Sequence, residues 1–382
     1  MAKDPTLKDD DDELAFELGD GVELLPPSPQ AELEALTNLA QTETGAYATF
    51  APADIDRKGF SDPVSGLDVL IPNEDAYAVN MISIPENDDP SELLHRSMTY
   101  VDGLYRSRED GSTLTSALIM DGKLYTAHMG DSPVLKITID PAADPDNAVI
   151  VEQVTRDHVA ANQDEQKLLP DPSLVCKDDK GRSYVYNEQK TSGVMVTRAL
   201  GDREKKLNHT PELNTLDLSA DVKAGKQVFV VVGSDGIMEH TNVEHIQQLL
   251  QIMNAQTHLE TGRGLKADEI ALLMTTYRYN PFSLDGVEFY KRNDDTTLVV
   301  QPVTADMLHS KSVGGKKEAR LITLGDGHNY RLELTSEGNI AFDGEFNHIP
   351  KYETPLSQAG VASMQRFMAA PHLMQDSKIL RQ

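Results

Sequence analysis

"TLTSALIMDGKLYTAHMGDSPVLKITID", residues 113–140, holds three short runs of apolar and β-branched residues, separated by Asp121-Gly122 and Gly130-Asp131. Each run is short for a helix and rich in Leu, Ile, Thr and Val, so each reads as a strand, and the Asp-Gly and Gly-Asp pairs mark turns. Three strands joined this closely predict a meander, hence antiparallel pairing. "AVIVEQVT" (148–155), "GVMVTRAL" (193–200), "QVFVVVGSDG" (227–236) and "TTLVVQPV" (296–303) read as further strands.

Helical spacing is clearest in "SELLHRSMTYVDGLYRSR" (91–108), through Leu94, Met98, Val101 and Tyr105, and in "TNVEHIQQLLQIMNAQ" (241–256), through Val243, Ile246, Leu249, Leu250 and Met253. Thr241 with Glu244 predicts a capping box at the start of the second. A third helix is expected at about 266–278, with Ile270, Leu273, Met274 and Tyr277 on its apolar face. Strands clustered apart from helices, rather than alternating with them, predict an α+β fold with packed sheets and outer helices.

The composition narrows the function. With 62 acids against 35 Lys plus Arg, the formal charge is −27, which disfavours nucleic acid and anionic membrane surfaces and suits a divalent cation or a basic peptide partner. The single cysteine, Cys176, leaves no intrachain disulfide and fits a reduced, cytoplasmic setting. The sequence contains neither a signal-peptide pattern nor an apolar run long enough for a membrane span. Residues 1–47 read as an acidic tail, 48–303 as the main domain, and 304–382 as a β-rich extension, then helical or irregular, opened by the linker-like "GGKKE" and forming either an appended module or an extension of the sheet.

Acids recur at strand ends: Asp131 in "HMGDSP", Asp235 in "VGSDGIME", and Asp294 and Asp295 in "RNDDTTLVV". A carboxylate buried at such a place is costly unless a cation or donor answers it. Converging oxygen ligands suit Mg²⁺ or Mn²⁺, whereas Asp and Gly also simply make turns.

"NEDAYAV" (73–79), "DGSTLTSALI" (110–119), "LYTAHMGDSPVLKI" (124–137), "RDHVAANQDEQKLL" (156–169), "GVMVTRALGDREKK" (193–206), "VFVVVGSDGIMEHTNVEHIQQLL" (228–250) and "RNDDTTLVV" (292–300) occur in the order of motifs they resemble in the PPM family, the PP2C-like metal-dependent Ser/Thr protein phosphatases. The resemblance implies an αββα sandwich, two antiparallel sheets flanked by helices, with a two-metal centre at one end of the sheets. It implies Asp235 and Asp294 as metal-ligating aspartates, Glu74 and Asp75 as the acidic pair holding metal-bound waters, and Asp131 as part of a weaker third site. Asp75, Asp235 and Asp294 are thereby the expected catalytic residues, and a phosphoprotein hydrolysed by a metal-activated water is the expected substrate. Asp295 stands where many relatives have Asn, with a local role.

The family's Asp-Gly-His-Gly-Gly motif, which implies the bridging ligand, does not follow "NEDAYAV": residues 80–90 leave no room for it. Asp88 and Asp89 are substitutes on this reading, against solvated loop acids. Asp102 reads as a surface residue within a helix. "LGDGHNY" (324–330) is a closer textual match, but the flanking "ARLIT" and "YRLEL" make Asp326 to Asn329 a hairpin turn unless the chain is permuted. The phosphate-binding Arg usual before the Glu-Asp pair is absent, Arg57 being the nearest, and Arg198 is expected to pair with acids. His95, His158 and His240 read as surface or capping residues. Two functions follow: a working phosphatase with a trimmed metal site, or a pseudophosphatase acting as a binding or scaffold module.

Overall fold

The computed structural model describes residues 37–42, 45–50, 60–61, 68–69, 75–104, 111–238, 241–276, 282–284, 287–289, 296–326, 331–334 and 340–343. The strands that build the core are β1 (Thr37–Thr42), β2 (Gly45–Phe50), β3 (Asp75–Pro85), β4 (Leu114–Met120), β5 (Lys123–Met129), β6 (Val134–Ile139), β7 (Val149–Gln153), β8 (Glu212–Asp217), β9 (Gln227–Gly233), β10 (Thr296–Val303), β11 (Ser312–Val313) and β12 (Lys316–Asp326). The principal helices are α1 (Pro90–Leu104), α2 (Val243–Thr261) and α3 (Ala267–Thr276).

These strands form two six-stranded antiparallel sheets. The first has the order β1-β2-β10-β9-β6-β7. In the second, β8-β5-β4 leads to β12, which has β3 along one side and β4 with the short β11 along the other.

Alternation along the strands creates three apolar layers. In β9, Val228, Val230 and Val232 join Ala117, Ile119, Val299, Ile322 and Leu324 between the sheets. Phe229 and Val231 turn the other way, onto a layer shared with α2 and α3 through Leu249, Leu250, Ile270 and Leu273. On the outside of the second sheet, Leu114, Leu118 and Leu321 meet Leu93, Leu94, Met98 and Val101 of α1. Helix, sheet, sheet and helix therefore stack as an αββα sandwich, in which burying each large apolar side chain contributes about 1.5–3 kcal/mol.

The structure corrects several sequence expectations. The first turn of the 113–140 stretch is a hairpin, with Asp121 and Gly122 at φ 51° and 70°. The second turn is not: β6 pairs with β9 and β7, so Gly130–Pro133 carries the chain from one sheet to the other. Packing of both faces decides this, because a third meander strand would leave the opposite sheet without its interior β6. "GVMVTRAL" is not one strand but the short pieces Gly193–Val194 and Leu200–Gly201 with isolated bridges between, its polar residues being held by side-chain bonds. Asn242, not Thr241, caps α2 by accepting from the His245 N–H at 2.9 Å.

Both expected boundaries move as well. Residues 37–42 and 45–50, assigned to the tail or its border, are strands of the first sheet. Of the two options for the segment after 304, β12 takes the second, extending the sheet: it is an interior strand of the second sheet. "ARLIT" and "YRLEL" do not pair as a hairpin either: β12 pairs with β3 and β4, while Arg331–Leu334 pairs with Ile340–Asp343. The tail residues 1–30 and the helical or irregular end after 343 lie outside the described residues. Among the described residues, no helix is long and apolar enough to cross a membrane.

Candidate functional site

The site is a rim of the sandwich built from strand ends. Gly130 leaves β5 at φ 111°, where a side chain would be strained and a Cβ would meet Thr113 Cγ2 at 2.4 Å. The crossing that follows is tied to β4: the Thr115 hydroxyl donates to the Ser132 carbonyl at 2.8 Å, and the Thr113 and Ser132 hydroxyls lie 3.2 Å apart. Asp131, half-buried, sits in this crossing.

From the other direction, β9 ends at Gly233, whose N–H donates to the Pro133 carbonyl at 3.1 Å. A Cβ on Gly233 would lie 2.5 Å from Ile237 Cδ1, so the glycine lets Ile237 fold over the strand end. Asp235 then opens a short 3-10 turn, Asp235–Ile237, and is exposed. Sequence reasoning took burial as the cost a cation would offset there; exposure removes that cost. The Ser234 N–H donates to the Thr297 carbonyl at 2.9 Å, and the Thr297 N–H donates to Ser234 Oγ at 3.0 Å, so the start of β10 joins the same rim. Asp294 and Asp295 precede that strand and lie outside the described residues, as do Glu74 and Arg57.

Asp75 is the first residue of β3 and stands opposite Asp326, the last of β12. The adjacent pair, Gly325 opposite Leu114, connects them to the stretch of β4 that holds Ser132. Asp75, Asp131, Asp235 and Asp326 are thus brought to one end of the sandwich. Asp88 and Asp89 are not. They follow Pro85 at the other end of an 11-residue strand, roughly 30 Å from Asp75 at about 3.3 Å per residue. Asp89 Oδ1 accepts from the Ser91 N–H at 2.9 Å at the start of α1, and Asp88 lies 3.8 Å from Arg96.

Behind Gly130 lies a polar network that sequence reasoning missed. His158 is fully buried rather than superficial, and its ring stacks on His128 with centroids 4.3 Å apart. Its Nδ1 accepts from the Gly130 N–H at 3.3 Å while its own N–H donates to the Gly130 carbonyl at 3.0 Å, gripping the crossing from both sides. Burial, then the neighbouring His128 and Arg198, push the His158 pKa down to about 3, and burial also lowers that of His128. Arg198 pairs with acids as expected, its Nε and Nη2 donating to Glu165 at 2.8 and 2.9 Å. Burial pushes Glu165 up, but the Arg198 hydrogen bonds and nearby positive charge hold its carboxyl below the ordinary range.

His128, His158 and Glu212 place ligand atoms within 4.8 Å of one another, a spacing a metal could use. Arg156 and Arg198 both pair with Glu212 there, so two guanidiniums already answer the carboxylate and repel a cation. The cluster is a structural network that fixes the crossing beside Asp131.

Asp102 is likewise no surface residue. It is buried, accepts from the Gly201 N–H at 3.1 Å, and binds Arg203 and His209, which ties α1 to the loop after Leu200. Its helical periodicity marked the face but not these partners. His95 is half-exposed, and His240 lies outside the described residues.

The family described as Protein phosphatase 2C matches residues 83–278. Protein spalten of Dictyostelium discoideum is 27% identical over 190 residues, covering 48% of this chain and 17% of that protein. Probable protein phosphatase 2C 68 of Arabidopsis thaliana is 27% identical over 224 residues, 52% of this chain and 55% of that one. The chain thus spans little more than half, or less, of these curated relatives. Among solved structures, serine-threonine phosphatase 2C from Toxoplasma gondii aligns with 70% of this chain and 99% of that one, at 13% identity and a TM-score of 0.40.

Proposed function

The chain belongs to the protein phosphatase 2C family, and on that premise we propose that it hydrolyses phosphoserine and phosphothreonine monoesters of proteins with Mg²⁺ or Mn²⁺. The observation that carries this reading is the gathering of Asp75, Asp131 and Asp235 on one rim by strand register and by the bonds of Ser132 and Gly233. The donor set fits such ions, being carboxylate oxygens with no thiolate or imidazole among them. On this reading Asp235, Asp294, Glu74 and Asp75 hold the ions and their waters, and Asp131 serves a weaker site. A bound divalent ion supplies a water of lowered pKa and neutralises phosphoryl charge.

The residues of the chain have positioning work to do. The Gly130 and Gly233 backbones aim Asp131 and Asp235 at the rim, and the network of His158, Glu212 and Arg156 keeps the crossing from shifting. No side-chain nucleophile is needed, so Cys176 and the rim serines stay outside the reaction. The net charge of −27 favours substrates with basic residues near the phosphate, and the lone cysteine fits action in the cytoplasm.

The absence of Asp-Gly-His-Gly-Gly after β3 favours a second reading, a pseudophosphatase that binds partners without turnover. Hydrolysis of a chromogenic phosphomonoester and of phosphopeptides with Mn²⁺ separates the two. We expect turnover that Asp235→Ala lowers by on the order of 10²–10³-fold, since ion-mediated charge stabilisation is worth several kcal/mol. No metal-dependent turnover, and no rise in Tm with Mn²⁺, would leave the second reading; a tight ion at 100 times its Kd adds about 2.7 kcal/mol to stability.

A further inference from the structure

We propose that the free edge of β8 is a docking strip for an extended, basic segment of the phosphoprotein substrate, which adds to the second sheet as a further strand and leads its phosphorylated residue to the rim. The inference rests on the phosphatase reading and deepens it.

β7 closes one side of the first sheet and β8 one side of the second, and the two edges are finished differently. At β7 the Asp140 N–H donates to the Ala148 carbonyl at 2.9 Å, which sets the phase of the ladder: Ile150 and Glu152 bond to β6, while Val149 and Val151 turn their N–H groups outward. Both outward donors are taken by α2, Val149 by Gln251 Oε1 at 2.7 Å and Val151 by Gln247 Oε1 at 2.9 Å. An incoming strand finds those groups already answered.

At β8 the Leu218 N–H donates to the Gly122 carbonyl at 2.9 Å, so Glu212, Asn214 and Leu216 bond to β5, while Leu213, Thr215 and Asp217 turn their backbone groups outward. These three residues are exposed, and no hydrogen bond from another described residue reaches the outward N–H of Leu213 or Thr215. A row of unpaired backbone groups is a template for a further strand unless the protein blocks it. One edge is blocked here and the other is open.

The direction of the open strip decides what fits it. Glu212 stands opposite His128, two residues before Gly130, and Asp217 stands opposite Lys123 at the far turn. A chain paired along Leu213–Asp217 and kept extended past Glu212 reaches the rim within about six residues, at about 3.3 Å each. The net charge of −27 repels a second copy of this chain and draws a segment carrying Lys or Arg. Arg156, at the rim end of the strip, is already held by Glu165 and Glu212. Main-chain pairing supplies the affinity, and Leu213, 38% exposed, offers an apolar neighbour to a side chain of the added strand.

The test uses the full chain and two fluorescent phosphoserine peptides of equal charge. One carries Lys-Val-Lys-Val-Lys roughly six residues from the phosphate, and the other carries Lys-Pro-Lys-Pro-Lys, which lacks the donors to pair. Anisotropy in EDTA reads binding without turnover, and hydrogen exchange locates it. We expect the Val peptide to bind about tenfold more tightly or better, and to slow exchange over 212–217 while leaving 149–153 unchanged. Thr215→Pro, which removes an outward N–H and spares the ladder to β5, and Leu213→Lys should each weaken the Val peptide by about tenfold, whereas Thr215→Ala, which keeps the N–H, should stay within about twofold. With Mn²⁺, Thr215→Pro and Leu213→Lys raise KM for the Val peptide and leave hydrolysis of a chromogenic phosphomonoester unchanged. Equal binding of the two peptides, or wild-type binding in both of those variants, overturns the docking strip and leaves the phosphatase reading standing. If Thr215→Pro lowers Tm, Leu213→Lys decides. Absence of turnover of either substrate, with the Val peptide still protecting 212–217, keeps the strip as a peptide site and overturns the phosphatase reading.

Discussion

Glu165 and Asp235 serve the same corner of the molecule in opposite ways. Glu165 is 0% exposed and is answered by Arg198 and Arg156, whereas Asp235 is exposed at the rim and follows a strand whose glycine lets the chain turn outward. A carboxylate deep in the protein is held by guanidiniums because nothing else would offset its desolvation. A carboxylate at the surface loses little solvation and needs no guanidinium to offset its burial. The difference separates scaffold from proposed site: the buried network behind Gly130 stabilises the fold, and the exposed Asp235 beside it belongs to the rim to which the proposed chemistry is assigned.

The strongest attempt to break this contrast is Arg198→Met. It leaves Glu165 buried with Arg156 as its remaining guanidinium, and removal of one partner from a buried pair costs about 3 kcal/mol. Urea denaturation should show a loss of that size; a loss below about 1 kcal/mol would mean that the network is not a scaffold.

Acidification tests the same network without mutation. His158 is held neutral in the fold, with its pKa pushed down to about 3, while the unfolded chain binds that proton below about pH 6.5. Stability is therefore unaffected above that pH and falls as the pH drops from about 6.5 toward 3. Between pH 7.5 and 5 the loss from His158 is about 2 kcal/mol, with His128 acting in the same direction. The lowered carboxyls of Glu165 and Glu212 add their loss only at more acidic pH, below the ordinary Glu range. Melting curves across pH 5–7.5 should show the slope, and His158→Phe should flatten it.

The smallest effect sharpens the other side. Asp235→Asn should change metal-free stability by no more than about 0.5 kcal/mol, as exposed substitutions do, despite the large loss of turnover expected of Asp235→Ala. A stability loss near that of Arg198→Met would place Asp235 in the scaffold and erase the distinction.

Local pattern explains why parts of this were readable in advance. β4, β5, β6, β9 and β10 announce themselves as apolar runs, and α2 and α3 as 3.6-residue periodicities, because each element's own spacing decides which face it buries. Asp131 and Asp235 stood out because an acid directly after such a run is unusual. Asp102, His158 and Glu165 gave no such signal: their partners at Gly201, Gly130 and Arg198 are distant in sequence, and a buried polar residue is recognised only by what answers it.

From the sequence alone came the α+β class, the antiparallel bias, the positions of most core elements and the acids at strand ends, all properties of short windows in which neighbours dictate conformation. Only the tertiary structure decided that Gly130–Pro133 crosses between sheets, and that β12 returns from the far end of the chain to lie between β3 and β4. Strand pairing is set by which faces can be buried together, and that depends on every layer of the sandwich at once.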